Sequence, residues 1–154
     1  MPMSNSTERI VIGTDHGGYE LKSIILTHLQ ARNFDVNDMG VFSEEPVDYP
    51  DIISEVCKEY LSGSYSFAMA LCGTGIGASI TANKIKGIRC ALVHDLYTAE
   101  KAKTHNNANV IALGGRIIYN SSVEKIIDTY IDAEFQDERH QRRIDKLFKL
   151  ENEY

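Results

Sequence analysis

Long hydrophobic runs are missing from this sequence. No apolar stretch approaches the roughly 20 residues that a membrane-spanning helix needs, and the polar first eight residues lack a signal-peptide core. We therefore expect a cytoplasmic protein without a membrane partner. An excess of basic charge is also missing, because 16 lysines and arginines stand against 22 aspartates and glutamates, for a formal net charge of −6. This balance argues against broad binding to nucleic acids or membrane surfaces, although a local group of arginines could still bind a small anion.

Cysteine is scarce, and its three copies cannot all pair within the chain. Cys57, Cys72 and Cys90 fall within predicted elements or at their ends, which indicates free thiols in a reducing compartment. Cys57 lies in the middle of a predicted helix and Cys90 in the middle of a predicted strand, where both are expected to be small core residues. Cys72 differs from them because a glycine-rich loop follows it directly.

The rest of the chain shows strands and helices in alternation. Its 154 residues suit a single domain, and the alternation is typical of an α/β fold with a parallel sheet and right-handed crossovers. We predict a three-layer α/β/α Rossmann-like domain over 9–154, after a disordered lead over 1–8. A five-stranded parallel sheet and an extra C-terminal helix over about 137–151 complete it. The predicted strands are 9–14, 34–38, 67–72, 88–93 and 109–113.

The segment 67–77 is the chemical centre of the sequence. Five apolar residues run into Cys72, and three glycines alternate with other residues before a helical pattern begins. Such a strand is typical of a parallel sheet that is buried on both faces. The loop after it exposes backbone N–H groups at a helix N-terminus, which favours an anion. A thiol beside that terminus has its thiolate form favoured, so Cys72 could act as a base or nucleophile near neutral pH.

Glycine loops also bind nucleotides without catalysing a reaction, which is the alternative interpretation of this segment. The spacing is G-x-G-x-G, which differs from both the dinucleotide fingerprint and the nucleoside-triphosphate loop. The glycines alone indicate an anion site, and the cysteine before them favours an enzyme over a binding module. A zinc site at Asp15, His16, Cys72 and His105 is not expected, because no two of them have a recognised close ligand spacing.

Other candidate residues lie at the ends of predicted strands. Ligands of open parallel sheets bind outside the carboxyl ends of the strands, and the segments 15–16, 72–77 and 114–116 all fall there. His105 follows a helix instead, so the pattern alone does not place it in the site. The C-terminal helix carries an apolar stripe that could pack on its own domain or on a second subunit. Its two arginines one turn apart, Arg139 and Arg143, could form a solvated face or bind phosphate.

Several short motifs together resemble one enzyme family. They extend from Ile10 to about Arg143 and read DHGG (15–18), DYP (48–50), CGTGIG (72–77), ANK (82–84), GIR (87–89), HN (105–106), NV (109–110), GGR (114–116) and RHQRR (139–143). With them the sequence resembles the ribose-5-phosphate isomerases of the B type. This family also includes the subunits of galactose-6-phosphate isomerase.

The resemblance implies a reaction and a set of roles. The reaction is the interconversion of ribose 5-phosphate and ribulose 5-phosphate in the non-oxidative pentose phosphate pathway, with no cofactor and no metal. Cys72 would move a proton between C1 and C2 through an enediolate. His105 would open the sugar ring with Asp15 nearby, and Asn106 would contact the substrate. The enediolate oxygens would be held by the loop after the cysteine, which comprises Gly73, Thr74, Gly75, Ile76 and Gly77.

The resemblance also implies a phosphate site and an assembly. His16, Arg116, Arg139 and Arg143 would surround the phosphate, and homodimers or dimers of dimers would carry the site at the subunit interface. Two alternatives stay open: an isomerase of a six-carbon sugar phosphate, such as galactose 6-phosphate or allose 6-phosphate, and a non-catalytic module that binds a phosphosugar. The presence of both Cys72 and His105 in one chain favours a self-sufficient enzyme of the ribose type.

Overall fold

The computed structural model describes residues 7–154, so most of the predicted N-terminal lead lies outside the described residues. Strands and helices alternate along these residues as predicted. In chain order the elements are β1 (Arg9–Thr14), α1 (Tyr19–Ala31), β2 (Asp35–Asp38), α2 (Tyr49–Ser62), β3 (Phe67–Cys72), α3 (Ile76–Asn83), β4 (Cys90–Leu92), α4 (Leu96–Thr104), β5 (Val110–Gly114), α5 (Val123–Asp132) and α6 (Asp137–Glu153). Within this part of the chain, no helix is both long enough and apolar enough to cross a membrane.

The five strands form one parallel sheet in the order β2-β1-β3-β5-β4. Successive side chains of a strand point to opposite faces, and the two faces carry separate apolar clusters. Ile10 and Ile12 pack with α1, α4 and α5, whereas Val11 packs with α2 and α3. The structure therefore confirms the three-layer α/β fold with a five-stranded parallel sheet.

The strand order reverses beside β1, because the chain moves from β1 to β2 on one side and then to β3 on the other. Such a switch point leaves a crevice outside the carboxyl ends of the two strands, where ligands bind in open α/β sheets. The loops after β1 and β3 carry Asp15 and Cys72, so both residues border this crevice.

The fourth strand is shorter than the predicted 88–93. Before its first residue, the side chain of Asn109 binds two backbone groups: its Oδ1 accepts from the Arg89 N–H at 2.8 Å, and its Nδ2 donates to the Gly87 carbonyl at 2.9 Å. An amide side chain thus satisfies backbone groups that a longer strand would have paired.

The C-terminal helix packs on its own domain with only part of its apolar stripe. Ile144 is buried, but Leu147 and Phe148 are 46% and 58% exposed. At its far end, Glu151 accepts a hydrogen bond from the Gly87 N–H at 3.1 Å. The helix therefore leaves a large apolar surface uncovered in the single chain.

Candidate active site

Three loops meet at the carboxyl edge of the sheet, after β1, β3 and β5. The N–H of Gly115 donates to the Cys72 carbonyl at 2.8 Å, and the N–H of Arg116 donates to the Gly73 carbonyl at 2.9 Å. Glycine permits this closeness, since a Cβ on Gly17 would lie 2.7 Å from the Gly73 nitrogen and one on Gly115 would clash with the Gly17 carbonyl oxygen. The loops thus form one connected frame.

Cys72 ends β3 inside this frame. Its side chain is 4% exposed, and its Sγ accepts a hydrogen bond from the Gly75 N–H at 3.1 Å. Gly75 has a left-handed φ of +79°, which glycine adopts without strain. A backbone donor directed at a thiol is the arrangement that a proton-accepting thiolate needs.

The other two cysteines have a different environment. Burial raises the pKa of Cys57 to about 11 and that of Cys90 to about 12. Both thiols therefore stay protonated at neutral pH. Cys57 is buried, as expected of a core residue, whereas Cys90 is partly exposed at the start of β4.

The loop between Cys72 and α3 offers several hydrogen-bond donors. Thr74 is exposed, and its Oγ1 accepts from the Ile76 N–H at 3.1 Å. Within residues 7–154, the N–H groups of Gly73 and Thr74 have no protein acceptor, so they are available to an oxygen of a ligand. Gly77 lies against the ring of Tyr49, where an added Cβ would stand 2.5 Å from a ring carbon.

A cavity of about 320 Å³ opens beside these loops. Asp15 is 6% exposed, and its Oδ1 accepts from the Gly17 N–H at 2.8 Å at the start of a short 3-10 helix, His16–Gly18. The Nδ1 of His16 accepts from the Val47 N–H at 3.2 Å. The cavity is lined by His16, Gly17, Glu20, Glu44, Gly115 and Arg116. Its size is at the lower end of the range for small-molecule sites.

A second group of polar residues surrounds the end of α4. The rings of His105 and His140 stack with their centroids 4.2 Å apart and an interplanar angle of 22°. Arg139 Nε donates to His140 Nε2 at 3.3 Å. Burial lowers the pKa of His140, and the neighbouring His105 and the charged Arg139 and Arg143 lower it further. His140 is therefore neutral at pH 7, and the cationic character of this group comes from its neighbours.

The two groups lie at opposite edges of the sheet. Helix α4 leads the chain from the carboxyl end of β4 back to the amino end of β5, and His105 lies at its last turn. Arg89, just before β4, donates to the carbonyls of Asn106 and Asn107. Because β5 rises about 3.3 Å per residue, its two ends are about 13 Å apart. The single chain therefore separates His105 from Cys72.

Comparison with known proteins then decides the family. Residues 10–147 match the family described as Ribose/Galactose Isomerase. The chain belongs to that family. The resemblance drawn from the motifs is confirmed, and the chain is accordingly a member of a sugar phosphate isomerase family.

Several members of this family can be aligned with the chain over nearly its full length. A ribose-5-P isomerase B from Listeria innocua is 40% identical over 143 residues, which cover 93% of this chain and 97% of the relative. The structure of ribose-5-phosphate isomerase B from Clostridium thermocellum superposes with a TM-score of 0.91, at 42% identity over 95% of this chain and 99% of that one. The structure of ribose-5-phosphate isomerase B from Mycoplasma genitalium, solved with bound ribulose-5-phosphate, superposes with a TM-score of 0.87. It is 40% identical, over 95% of this chain and 97% of that one.

The predicted site residues divide between the two edges. The carboxyl edge holds Asp15, His16, Cys72, Gly73, Thr74, Gly75, Ile76, Gly77 and Arg116. The amino edge holds His105, Asn106, Arg139 and Arg143. We did not predict this division from the sequence, although a residue at the end of a crossover helix must return to the amino edge.

The structure adds residues that the motifs did not indicate. The Tyr119 hydroxyl accepts from the Gly114 N–H at 2.9 Å and donates to the Gly114 carbonyl at 2.8 Å. Burial raises the pKa of Tyr119, so the hydroxyl stays protonated and holds the end of β5 beside Cys72. Glu20 and Glu44 line the cavity as well. No local pattern indicates them, because their position depends on loops that meet only in the fold.

Proposed function

We propose that this chain interconverts ribose 5-phosphate and ribulose 5-phosphate, with Cys72 as the base. The observation that carries the proposal is the position of the thiol: it lies at the switch point of the sheet, with the Gly75 N–H on its sulfur and two further N–H groups beside it. The ribulose-5-phosphate bound to the Mycoplasma genitalium relative supports a ligand of this class.

The chemistry follows from these groups. The Cys72 thiolate removes the proton from C2 of the open-chain aldose, and the negative charge passes to O1 to give an enediolate. The thiol then returns its proton to C1, while the proton on O2 moves to O1. Fixed donors commonly supply a large share of such catalysis, and the N–H groups of Gly73 and Thr74, with the Thr74 hydroxyl, would bind the charged oxygens.

The proposal includes a site shared between two copies of the chain. The carboxyl edge has the base and the donors, whereas the amino edge has His105 for ring opening and Arg139 and Arg143 for the phosphate. A two-fold pair that sets the carboxyl edge of one copy against the amino edge of the other makes two equivalent sites. The exposed apolar residues Leu147 and Phe148 of α6 support such a homodimer or a dimer of dimers.

In this arrangement His16 and Arg116 of one copy and the two arginines of the other would surround the phosphate. His105 of the second copy would open the ring, with Asp15 of the first nearby. The three free thiols support the proposed cytoplasmic location, because a reducing compartment preserves them.

The experiment compares Cys72→Ala with Cys90→Ala in an assay that converts ribose 5-phosphate to ribulose 5-phosphate. We expect Cys72→Ala to lower kcat by about 10²–10⁴-fold, the usual contribution of a general base, with substrate binding largely intact. Cys90→Ala should retain its activity. Near-normal turnover in Cys72→Ala would contradict the assignment of the base.

The same assay, run in parallel with galactose 6-phosphate and allose 6-phosphate, tests the substrate. A kcat/KM that is higher for a six-carbon sugar phosphate than for ribose 5-phosphate would show that the six-carbon sugar phosphate is the preferred substrate. Binding of ribose 5-phosphate without turnover by the unsubstituted protein would indicate a binding module instead of an enzyme.

A further inference from the structure

Lys22 is a buried cation outside the candidate site. Its residue is 2% exposed, and its ammonium donates to Asp38 Oδ1 at 2.8 Å, to Asp38 Oδ2 at 3.0 Å and to the Val41 carbonyl at 2.7 Å. The same nitrogen lies 4.6 Å from the ring centroid of Phe42. An ammonium has three donors, so its hydrogen bonds join α1 to the segment that follows β2 and satisfy the buried charge.

That segment extends along β1 to the carboxyl edge. The Gly40 carbonyl accepts from the Thr14 N–H at 2.7 Å, and the Val41 N–H donates to the Thr14 carbonyl at 2.9 Å. Asp38 Oδ1 also accepts from the Gly40 N–H at 3.0 Å. Through this segment, Lys22 therefore holds Thr14, the last residue of β1, which directly precedes Asp15.

The same segment then reaches the cavity and contacts His16. The Val47 N–H, which can only donate, lies 3.2 Å from His16 Nδ1. Nδ1 must therefore accept, and the proton of the neutral ring is on Nε2. The imidazole that lines the cavity thus carries its one N–H donor on Nε2.

We propose that Lys22 is a positioning residue that, by fixing the segment from Asp38 to Val47, holds His16 in the Nε2–H tautomer as a donor to the substrate phosphate. The part that concerns the phosphate rests on the proposed function. The part that concerns the tautomer rests on the geometry of Lys22, Val47 and His16 alone.

The tautomer is measured directly by long-range ¹H–¹⁵N correlation NMR at a pH where His16 is neutral. The signals of His16 are identified by their loss in His16→Gln. We expect the Nε2–H form in the unsubstituted protein and a mixture of tautomers in Lys22→Met and in Val47→Pro, which lacks the N–H donor. Val47→Ala, which retains that N–H, and Lys58→Met, which removes an exposed lysine, should keep the Nε2–H form.

Two results would overturn the proposal: an Nδ1–H tautomer in the unsubstituted protein, or an unchanged tautomer in Lys22→Met. Should Lys22→Met fail to fold, Asp38→Asn takes its place, because it weakens the same contact at a side chain that is 24% exposed. A smaller shift toward the mixture is then expected, and an unchanged tautomer again overturns the proposal.

The kinetic test asks whether Lys22 acts through His16. Loss of a hydrogen bond to a charged group predicts a rise of about tenfold in the KM for ribose 5-phosphate in Lys22→Met, with kcat changed much less. Adding Lys22→Met to His16→Gln should raise KM no further, because coupled residues are not additive. If the increases in KM from the two substitutions are additive, Lys22 does not act through His16 and the proposal is overturned. A shifted tautomer in a protein without isomerase activity would support the fixed segment and contradict only the proposed function.

Discussion

The two edges of the sheet carry different kinds of site. At the carboxyl edge, the loops hold one another through backbone contacts, such as the 2.8 Å bond from the Gly115 N–H to the Cys72 carbonyl. At the amino edge, His105 follows the last turn of α4 and Arg139 and Arg143 lie in the first two turns of α6, and only the stacked His140 in this group is buried. The comparison teaches that backbone hydrogen bonds tie the carboxyl-edge loops to one another, whereas the amino-edge group consists mainly of exposed side chains. The proposed function brings them together only across two copies.

Among the changes that separate the two edges, the largest effect is expected where the carboxyl-edge loops touch one another. In Gly115→Ala the new methyl group would meet the Gly17 carbonyl and lie 2.9 Å from the Gly18 Cα, so the loops after β1 and β5 must separate. A displacement of about 1 Å at reacting groups can cost about 10²-fold in rate, and we expect a loss of this size in kcat/KM.

Steady-state kinetics measure that loss, and thermal unfolding shows whether the domain remains folded. Asn120→Ala, an exposed change in the same loop, is the control and should behave as the unsubstituted protein. Full activity in Gly115→Ala would show that the contact between the loops is dispensable.

A smaller effect is expected at the amino edge. Arg139→Ala and Arg143→Ala should each raise KM by about tenfold and change kcat less, because phosphate contacts supply mainly uniform binding. Arg142→Ala removes the exposed arginine between them and should leave both constants near their starting values. A loss of kcat at unchanged KM in the first two variants would place these arginines in the chemical step instead.

The smallest effect concerns a contact distant from both edges, which links α1 to α5. Burial acts to raise the pKa of Asp128, but hydrogen bonds from His28 and Arg32 outweigh it and hold this pKa below its ordinary value. A carboxylate with a lowered pKa stabilises the fold above its unfolded pKa of about 3.9, and this contribution is lost as the pH falls through the folded value.

Asp128→Asn should therefore reduce the free energy of unfolding at pH 7 by about 0.5 kcal/mol, since partly exposed ion pairs contribute little. The difference from the unsubstituted protein should shrink below about pH 4. Urea unfolding at pH 7 and pH 3.5 measures it, and a difference that grows in acid would contradict the assignment. Isomerase activity at pH 7 should not change.

The sequence was sufficient for the elements that local patterns determine. The apolar run into Cys72 and its alternating glycines predicted β3, its loop and the start of α3 at nearly their observed bounds. The later start of β4 could not be predicted, because it depends on the side chain of Asn109, the residue just before β5.

Parts of the candidate site could not be predicted from local patterns either, because they also depend on residues that are distant in the sequence. Lys22 lies 16 positions before Asp38 in the sequence, and only the packing of α1 beside β2 makes them partners. The motif around His105 indicated a functional residue but not its edge of the sheet, which follows from the direction of α4. The roles of both groups of residues stay predictions until the two copies are tested together.

The most direct test of the shared site is complementation between two inactive variants. Cys72→Ala and His105→Ala are purified separately, mixed, dissociated in mild denaturant and reassociated, and their activity on ribose 5-phosphate is measured. In a two-fold dimer each mixed pair contains one intact site, so random reassociation should restore about a quarter of the unsubstituted activity. Each variant treated alone should remain inactive. A mixture that contains mixed pairs by mass spectrometry and yet shows no activity would contradict a site composed of Cys72 from one copy and His105 from the other.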